Sequence, residues 1–205
     1  METRKVRDLV DIRVSRLQSD YLAGNRPRAS AAMAALRHAV GREPGEVPGI
    51  WNLTIAGVRQ GVGDDPSPDE NAVHDAIVLY ALHQQSRSRP MHQRGASLGR
   101  SVRQLAGLEE QPAIRRRFDA AVTAQSYNEL RYHLRGLVSL LRSADISTDY
   151  GELASDLLDF QREGGVVRVR RRWARDFSAR FGEPSNGEDT ENDTNLESKE
   201  EEFNE

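Results

Sequence analysis

Residues 126–142 read SYNELRYHLRGLVSLLR, and the fold class is inferred first from this stretch. Ser126 followed by Glu129 is a helix-start signal, because the serine side chain can accept a hydrogen bond from a backbone N–H of the first turn. The hydrophobic residues that follow recur at helical spacing on one side: Leu130, Leu134, Leu137, Val138 and Leu141. The stretch therefore predicts an amphipathic α-helix whose apolar side faces a core.

The helical period continues toward the N-terminus. Five further helices are expected there, and proline, serine or glycine marks their ends. They begin near the N-terminus and at Pro27, Ser67, Ser97 and Pro112. The prolines and glycines of residues 41–66 break this pattern, and a short helix near Trp51 is the only regular structure expected between them.

Two more helices are expected toward the C-terminus. Asp149 and Glu152 mark the start of one, and Gly164 and Gly165 separate it from the last, VVRVRRRWARDFSARF in residues 166–181. The VVRVR portion could also alternate as a strand, although no partner strand is evident elsewhere.

These patterns together predict an all-α fold. About eight or nine helices are expected to pack as two helical sub-bundles, residues 1–95 and residues 96–183. The acidic tail, residues 184–205, contains few apolar residues and is expected to be disordered.

Charge is unevenly distributed along the 205 residues. Residues 185–205 carry nine acids and one lysine, a net charge of -8, whereas residues 1–184 carry 28 bases and 23 acids, a net charge of +5. A basic body followed by an acidic tail suggests a polyanion-binding surface, for which the tail is expected to compete. Of the 29 basic residues, 27 are arginine, which fits either phosphate recognition or a genome that favours arginine codons.

Composition excludes several classes of protein. Without cysteine, the chain can form neither a disulfide framework nor a thiolate metal site. With 37% hydrophobic and 30% charged residues, it is expected to be soluble and globular. Neither a signal peptide nor a membrane-spanning run is evident, so a cytoplasmic location without a membrane partner is expected.

No catalytic motif is evident. The five histidines show neither an HExxH pair nor zinc-like spacing. A metal-dependent nuclease site that uses His74, Asp75 and His83 stays open as an alternative, although helical histidines of this kind more often serve the core or the surface. The expectation is a protein without catalytic residues, metal or cofactor.

Arginines form outward rows on three predicted helices. The rows are Arg131, Arg135 and Arg142 on the helix from Ser126; Arg115, Arg116 and Arg117 on the helix from Pro112; and Arg168, Arg171 and Arg175 on the last helix, opposite Trp173. Such rows can be solvated faces, but the first row has no acid four residues along to pair with it. Without an aromatic base-stacking motif or a recognition helix, they predict contact with a nucleic-acid backbone and no sequence readout.

Seven blocks of sequence carry a family resemblance in addition. In order between residues 30 and 181 they are AALRHAVGREPGEVPGIW, HDAIVLYALHQQS, PMHQRGASLGRSVRQL, RRRF, SYNELRYHLRGLVSLLR, ISTDYGELASDLLDFQ and VRRRWARDF. In number and order they resemble the small-subunit family of the type I-E CRISPR complex Cascade, also called CasB. None of the blocks is a catalytic motif.

The resemblance implies a non-enzymatic subunit of a ribonucleoprotein. Its partners would be a CRISPR RNA (crRNA), target DNA, the Cascade subunits CasA, CasC, CasD and CasE, and a second copy of itself lying head-to-tail. Its role would be to brace the crRNA–target DNA hybrid and to hold the displaced strand of the R-loop.

The resemblance also indicates which arginines contact nucleic acid. By their place in the blocks, they are Arg100, Arg115, Arg116 and Arg135. The arginines of the last helix could equally face a protein neighbour, and a purely structural spacer between proteins remains the alternative function.

Overall fold

The structure is a computed structural model that describes residues 3–24, 27–107 and 111–179. Within these ranges it contains nine α-helices, a single turn of 3-10 helix and no strand beyond one isolated bridge between His92 and Thr148. The predicted all-α fold is confirmed. The predicted disorder of residues 184–205 lies outside the described residues. In the described ranges, no helix is long and apolar enough to cross a membrane.

The helices follow one another with short connections. In chain order they are α1 (Thr3–Leu22), α2 (Pro27–His38), the 3-10 turn (Pro48–Ile50), α3 (Trp51–Thr54), α4 (Pro68–His83), α5 (Leu98–Ala106), α6 (Pro112–Thr123), α7 (Tyr127–Ser143), α8 (Tyr150–Phe160) and α9 (Gly165–Ser178).

Side-chain caps set the helix starts that the sequence predicts. Ser67 accepts a hydrogen bond from the Glu70 N–H at 3.0 Å, and the Glu70 carboxylate accepts one from the Ser67 N–H at 2.8 Å. Ser126 caps α7 in the same way by accepting from the Glu129 N–H at 3.1 Å. The Glu129 carboxylate, however, accepts a hydrogen bond from the Gln125 N–H and not from the Ser126 N–H. The return bond of this cap is therefore displaced by one residue.

Gly164 and Gly165 make the turn from α8 into α9. Gly164 has a φ of 66°, in the left-handed region that favours glycine. A Cβ atom on Gly165 would lie 1.6 Å from the carbonyl oxygen of Asp159, so the two helices can approach only through a glycine. The VVRVR portion that follows is helical and forms no strand.

Apart from Ala29 and Met91, the buried hydrophobic residues of the described ranges form one connected core. Helix α4 lies at its centre: it is buried without interruption from Ala72 to Ala81 and packs on α1, α2, α7 and α8. Helix α1 packs mainly on α8. The division into two sub-bundles near residue 95 stays a prediction, and this core does not mark it.

A second group of contacts joins α5, α6 and α9. The ring of Phe118 stacks on that of Phe177, with 4.9 Å between centroids, and Trp173 is buried beside them. Helix α6 also packs along α7. The α6 arginine row therefore belongs to a helix that contacts both of the other helices with predicted rows.

Candidate nucleic-acid interface

A groove of about 610 Å³ lies between α6 and α7. Arg116 and Arg117 line it from α6, and Arg135 lines it from α7. All three residues are exposed. The structure therefore brings together three of the predicted arginines, which come from two different helices.

The rest of the lining favours a polyanion. Among the described residues that line the groove there is no acid, and the other polar members are Tyr132, His133 and Ser139. Glu129, outside the lining, reaches His133 Nε2 at 3.7 Å. Cations on both sides, with no carboxylate in this part of the described lining, create a positive potential that attracts phosphate groups.

Arg115 is exposed but occupied by contacts within the protein. Its Nε lies 2.9 Å from Asp119 Oδ1, one helical turn further on. Its guanidinium carbon lies 5.0 Å from the centroid of the Phe177 ring, within cation–π range. Arg115 therefore points toward α9 and not into the groove.

Arg131 points into the protein. Its Nε lies 3.0 Å from the carboxylate oxygens of Asp75 on α4, and its Nη2 donates to the carbonyl oxygen of Arg42 at 2.6 Å. Only 17% of its side chain is exposed. The expectation of an unpaired row is therefore wrong at Arg131, because its acidic partner comes from another helix and not from four residues along α7.

Arg142 and Arg100 are half-buried, and neither is among the residues that line the groove. Arg142 Nη1 donates to Gln85 Oε1 at 2.9 Å and so ties α7 to the end of α4. Arg100 lies in the first turn of α5, where its backbone N–H donates to the capping Ser97. Nucleic-acid contact by these two arginines stays a prediction.

The predicted outward row on α9 is present. Arg168, Arg171 and Arg175 are all exposed, and Trp173 on the opposite face is buried. These arginines are not part of the groove lining. They form a separate cationic face, whose ligand stays a prediction.

The residues of the alternative nuclease site do not converge. Burial lowers the pKa values of His74 and His83 to about 4, and it raises the pKa of Asp75 to about 6. The Asp75 carboxylate accepts from the Tyr127 hydroxyl at 2.8 Å, and His83 Nδ1 lies 2.8 Å from the Tyr150 hydroxyl. Asp75 and His83 therefore contribute to different core contacts, and the three residues are not among the described groups with the spacing of metal ligands.

Asp11, His92 and Asp149 form a buried polar cluster that sequence reasoning missed. The Tyr150 N–H donates to His92 Nδ1 at 3.2 Å, so the ring proton is on Nε2 and is donated to Asp11 at 3.1 Å. Arg94 also pairs with Asp11, and its hydrogen bond lowers the pKa of that carboxyl. Because His92 bonds both Asp11 and the Tyr150 N–H, the cluster joins α1 to the start of α8.

Tyr132 is a groove residue that sequence reasoning missed. It lies on α7 and is 75% exposed. At about 100° per residue it falls roughly opposite the leucine face, so its exposure could have been read from the helical period. Its place in the groove could not have been read from the period of α7, because the second wall of the groove belongs to α6.

Comparison with known proteins gives the chain a family. It matches the family model of CRISPR-associated protein Cse2 over residues 32–177. CasB from Thermobifida fusca, a solved structure, is 39% identical with a TM-score of 0.74, and the match covers 85% of this chain and 98% of that one. No curated protein sequence matches the chain.

Two further solved structures share the fold. A chain of a CRISPR RNA-guided surveillance complex is 25% identical with a TM-score of 0.65, over 84% of this chain and 92% of its own length. CasB from Thermus thermophilus is 24% identical with a TM-score of 0.61, over 86% and 97%. On the extent of the family match and the 39% identity, the chain belongs to the CRISPR-associated Cse2 family.

Proposed function

We propose that this chain is a non-catalytic subunit of a CRISPR surveillance complex of the Cascade type and that it binds nucleic-acid backbone without sequence preference. The observation that carries the proposal is the groove between α6 and α7, where Arg116, Arg117 and Arg135 line a surface that has no carboxylate among its described residues. Membership of the Cse2 family and the likeness to a chain of an RNA-guided surveillance complex support the setting.

In this role the groove braces the crRNA–target DNA hybrid and stabilises the displaced strand of the R-loop. Exchange of a DNA duplex for an RNA–DNA hybrid is nearly balanced in free energy, so modest contacts to the displaced strand shift it. Guanidinium groups that contact phosphates do not read bases, as a subunit that serves every guide requires. The partners in this proposal are the crRNA, target DNA, the other Cascade subunits and a second copy of the chain, in the cytoplasm.

Charge reversal in the groove tests the proposal. The double variant R116E/R135E should weaken binding of single-stranded DNA by the full chain and shorten the lifetime of the R-loop in the assembled complex. The slope of log affinity against log salt concentration should become shallower by about 1.4, since each lost single-strand phosphate contact contributes roughly 0.7. Fluorescence anisotropy at several salt concentrations measures the affinity, and circular dichroism should show unchanged helix content because both residues are exposed.

A matched variant controls for net charge. Arg28 and Arg59 are exposed, lie outside the groove lining and give the same change in charge when reversed. R28E/R59E should retain most of the affinity. Equal losses in the two double variants, or an unaltered R-loop lifetime in R116E/R135E, would count against the groove as the binding site.

A further inference from the structure

Tyr132 presents an exposed aromatic ring on the cationic groove. Its exposed fraction is 75%, whereas Tyr80, Tyr150 and Trp173 are buried. A single exposed aromatic residue is ordinary on a protein surface. The groups that surround the ring are therefore decisive.

Gly136 leaves the space beside the ring open. It follows Tyr132 by one helical turn, and a Cβ atom at this position would meet nothing within 4 Å. Side chains on a helix lean toward its N-terminus, so a larger residue at 136 would lie over the ring of Tyr132. Glycine weakens a helix interior relative to alanine, and no close contact of the backbone requires it here.

Arginines surround the ring from both walls of the groove. Arg135 lies on the same helix, His133 has its ring centroid 5.4 Å from that of Tyr132, and Arg116 and Arg117 line the opposite wall. An open aromatic face next to several cations matches a nucleotide, whose base is a flat apolar surface attached to a phosphate.

The polarity of the neighbouring surface indicates where the phosphates would lie. Tyr132 and Arg135 also line a smaller cavity of about 340 Å³ on the side of α4, and that lining includes the acids Glu43 and Asp75. Arg131 and Arg135 offset these two acids in the same lining, so this cavity has no excess of positive charge for a phosphate chain. The backbone therefore fits the groove between α6 and α7, whose described lining residues include three arginines and no acid.

We propose that Tyr132 stacks on the base of an unpaired nucleotide while Arg116, Arg117 and Arg135 hold the flanking phosphates. In a duplex the bases stack on one another, so a side chain can stack only on an unpaired base; the groove therefore prefers single-stranded to double-stranded nucleic acid. Every base has an aromatic face, so binding stays independent of sequence. This inference rests on the proposed function of the groove and adds a base contact to it.

The test compares intact and abasic strands of equal length and charge. Fluorescence anisotropy is measured for the full chain at low salt with a labelled single-stranded oligonucleotide, with the same strand carrying abasic sites at its central positions, and with a duplex. The wild type should bind the intact strand about fivefold or more tightly than the abasic strand, as expected for one stacked base. Y132A should lose this preference and keep its affinity for the abasic strand and the duplex, whereas Y132F should retain the preference.

A second variant blocks the ring without altering it or the charge. In G136M the methionine side chain should cover Tyr132, and affinity for the intact strand should fall to that for the abasic strand. Methionine favours helices more than glycine does, so α7 should persist, which circular dichroism checks. G136A, which is too short to cover the ring, should retain the preference.

Three outcomes separate the possible failures. Equal wild-type affinity for intact and abasic strands, with both weakened by R116E/R135E, overturns base stacking and leaves the proposed function standing. If the wild type binds intact and abasic strands equally and R116E/R135E changes neither affinity, both base stacking and the proposed function are overturned. If Y132A leaves both affinities unchanged but weakens assembly with other subunits, Tyr132 belongs to a protein contact and the inference is wrong.

Discussion

Asp75 is a buried carboxylate whose charge depends on a single arginine. Its side chain is 5% exposed, and burial raises its pKa to about 6, while Arg131 and the Tyr127 hydroxyl favour the ionised form. Loss of one partner from a buried ion pair leaves the other charge uncompensated, which costs far more than the loss of an exposed charge. At this scale Arg131 and Arg135, neighbours on α7, have different roles.

The two arginines should therefore respond differently to truncation. R131A is expected to lower the free energy of unfolding by about 3 kcal/mol, because Asp75 remains buried without its cation. R135A, at an exposed position, should change the free energy of unfolding by less than about 0.5 kcal/mol. Urea denaturation followed by circular dichroism measures both values. Equal effects would mean that Arg131 does not stabilise the fold through Asp75.

At the scale of helices, two glycines show how different the demands on the same residue type can be. Gly165 allows the start of α9 to pass against the Asp159 carbonyl, which a Cβ atom would meet at 1.6 Å. Gly136 lies in the middle of α7 with open space beside it. Only the first position requires the missing side chain for packing.

Alanine at these two positions should change stability in opposite directions. G165A is expected to destabilise the protein, because α8 and α9 must separate to admit the methyl group. G136A is expected to stabilise it by about 0.5–1 kcal/mol, the usual gain in a helix interior. Thermal unfolding of both variants is the measurement. A gain in stability for G165A would contradict the close approach of the two helices.

The sequence could predict features that depend on residues within one helix, and it could not predict features that depend on contacts between helices. Helix starts such as Ser67 and Ser126 were predictable because the cap and its partner are three residues apart. The outward row of arginines on α9 was predictable because the helical period alone places these residues opposite Trp173. The inward turn of Arg131 depends on Asp75 in another helix, 56 residues away, which no spacing along α7 reveals. The groove was likewise beyond local patterns, since α6 and α7 each contribute one wall.

At the scale of the whole molecule, charge is divided between the basic residues 1–184, net +5, and residues 185–205, net -8. A tethered acidic segment has a high effective concentration near a cationic surface, and we expect residues 185–205 to compete there with nucleic acid. Deletion of residues 185–205 is expected to tighten binding of single-stranded DNA at low salt and to matter much less at about 1 M salt, where the Debye length is about 3 Å. Anisotropy titrations of both chains measure this, and identical affinities at low salt would rule out competition.

The packing of α1 on α8 has a consequence for biosynthesis. The first helix ends at Leu22, yet the surface that buries most of its apolar side begins only at Tyr150. A nascent chain must therefore emerge from the ribosome beyond α8 before the apolar side of α1 is fully covered, although α2 and α4 can cover part of it earlier. Until then part of this apolar side stays exposed, where chaperones can bind or aggregation can begin, and the packing of α1 is not completed stepwise from the first residue.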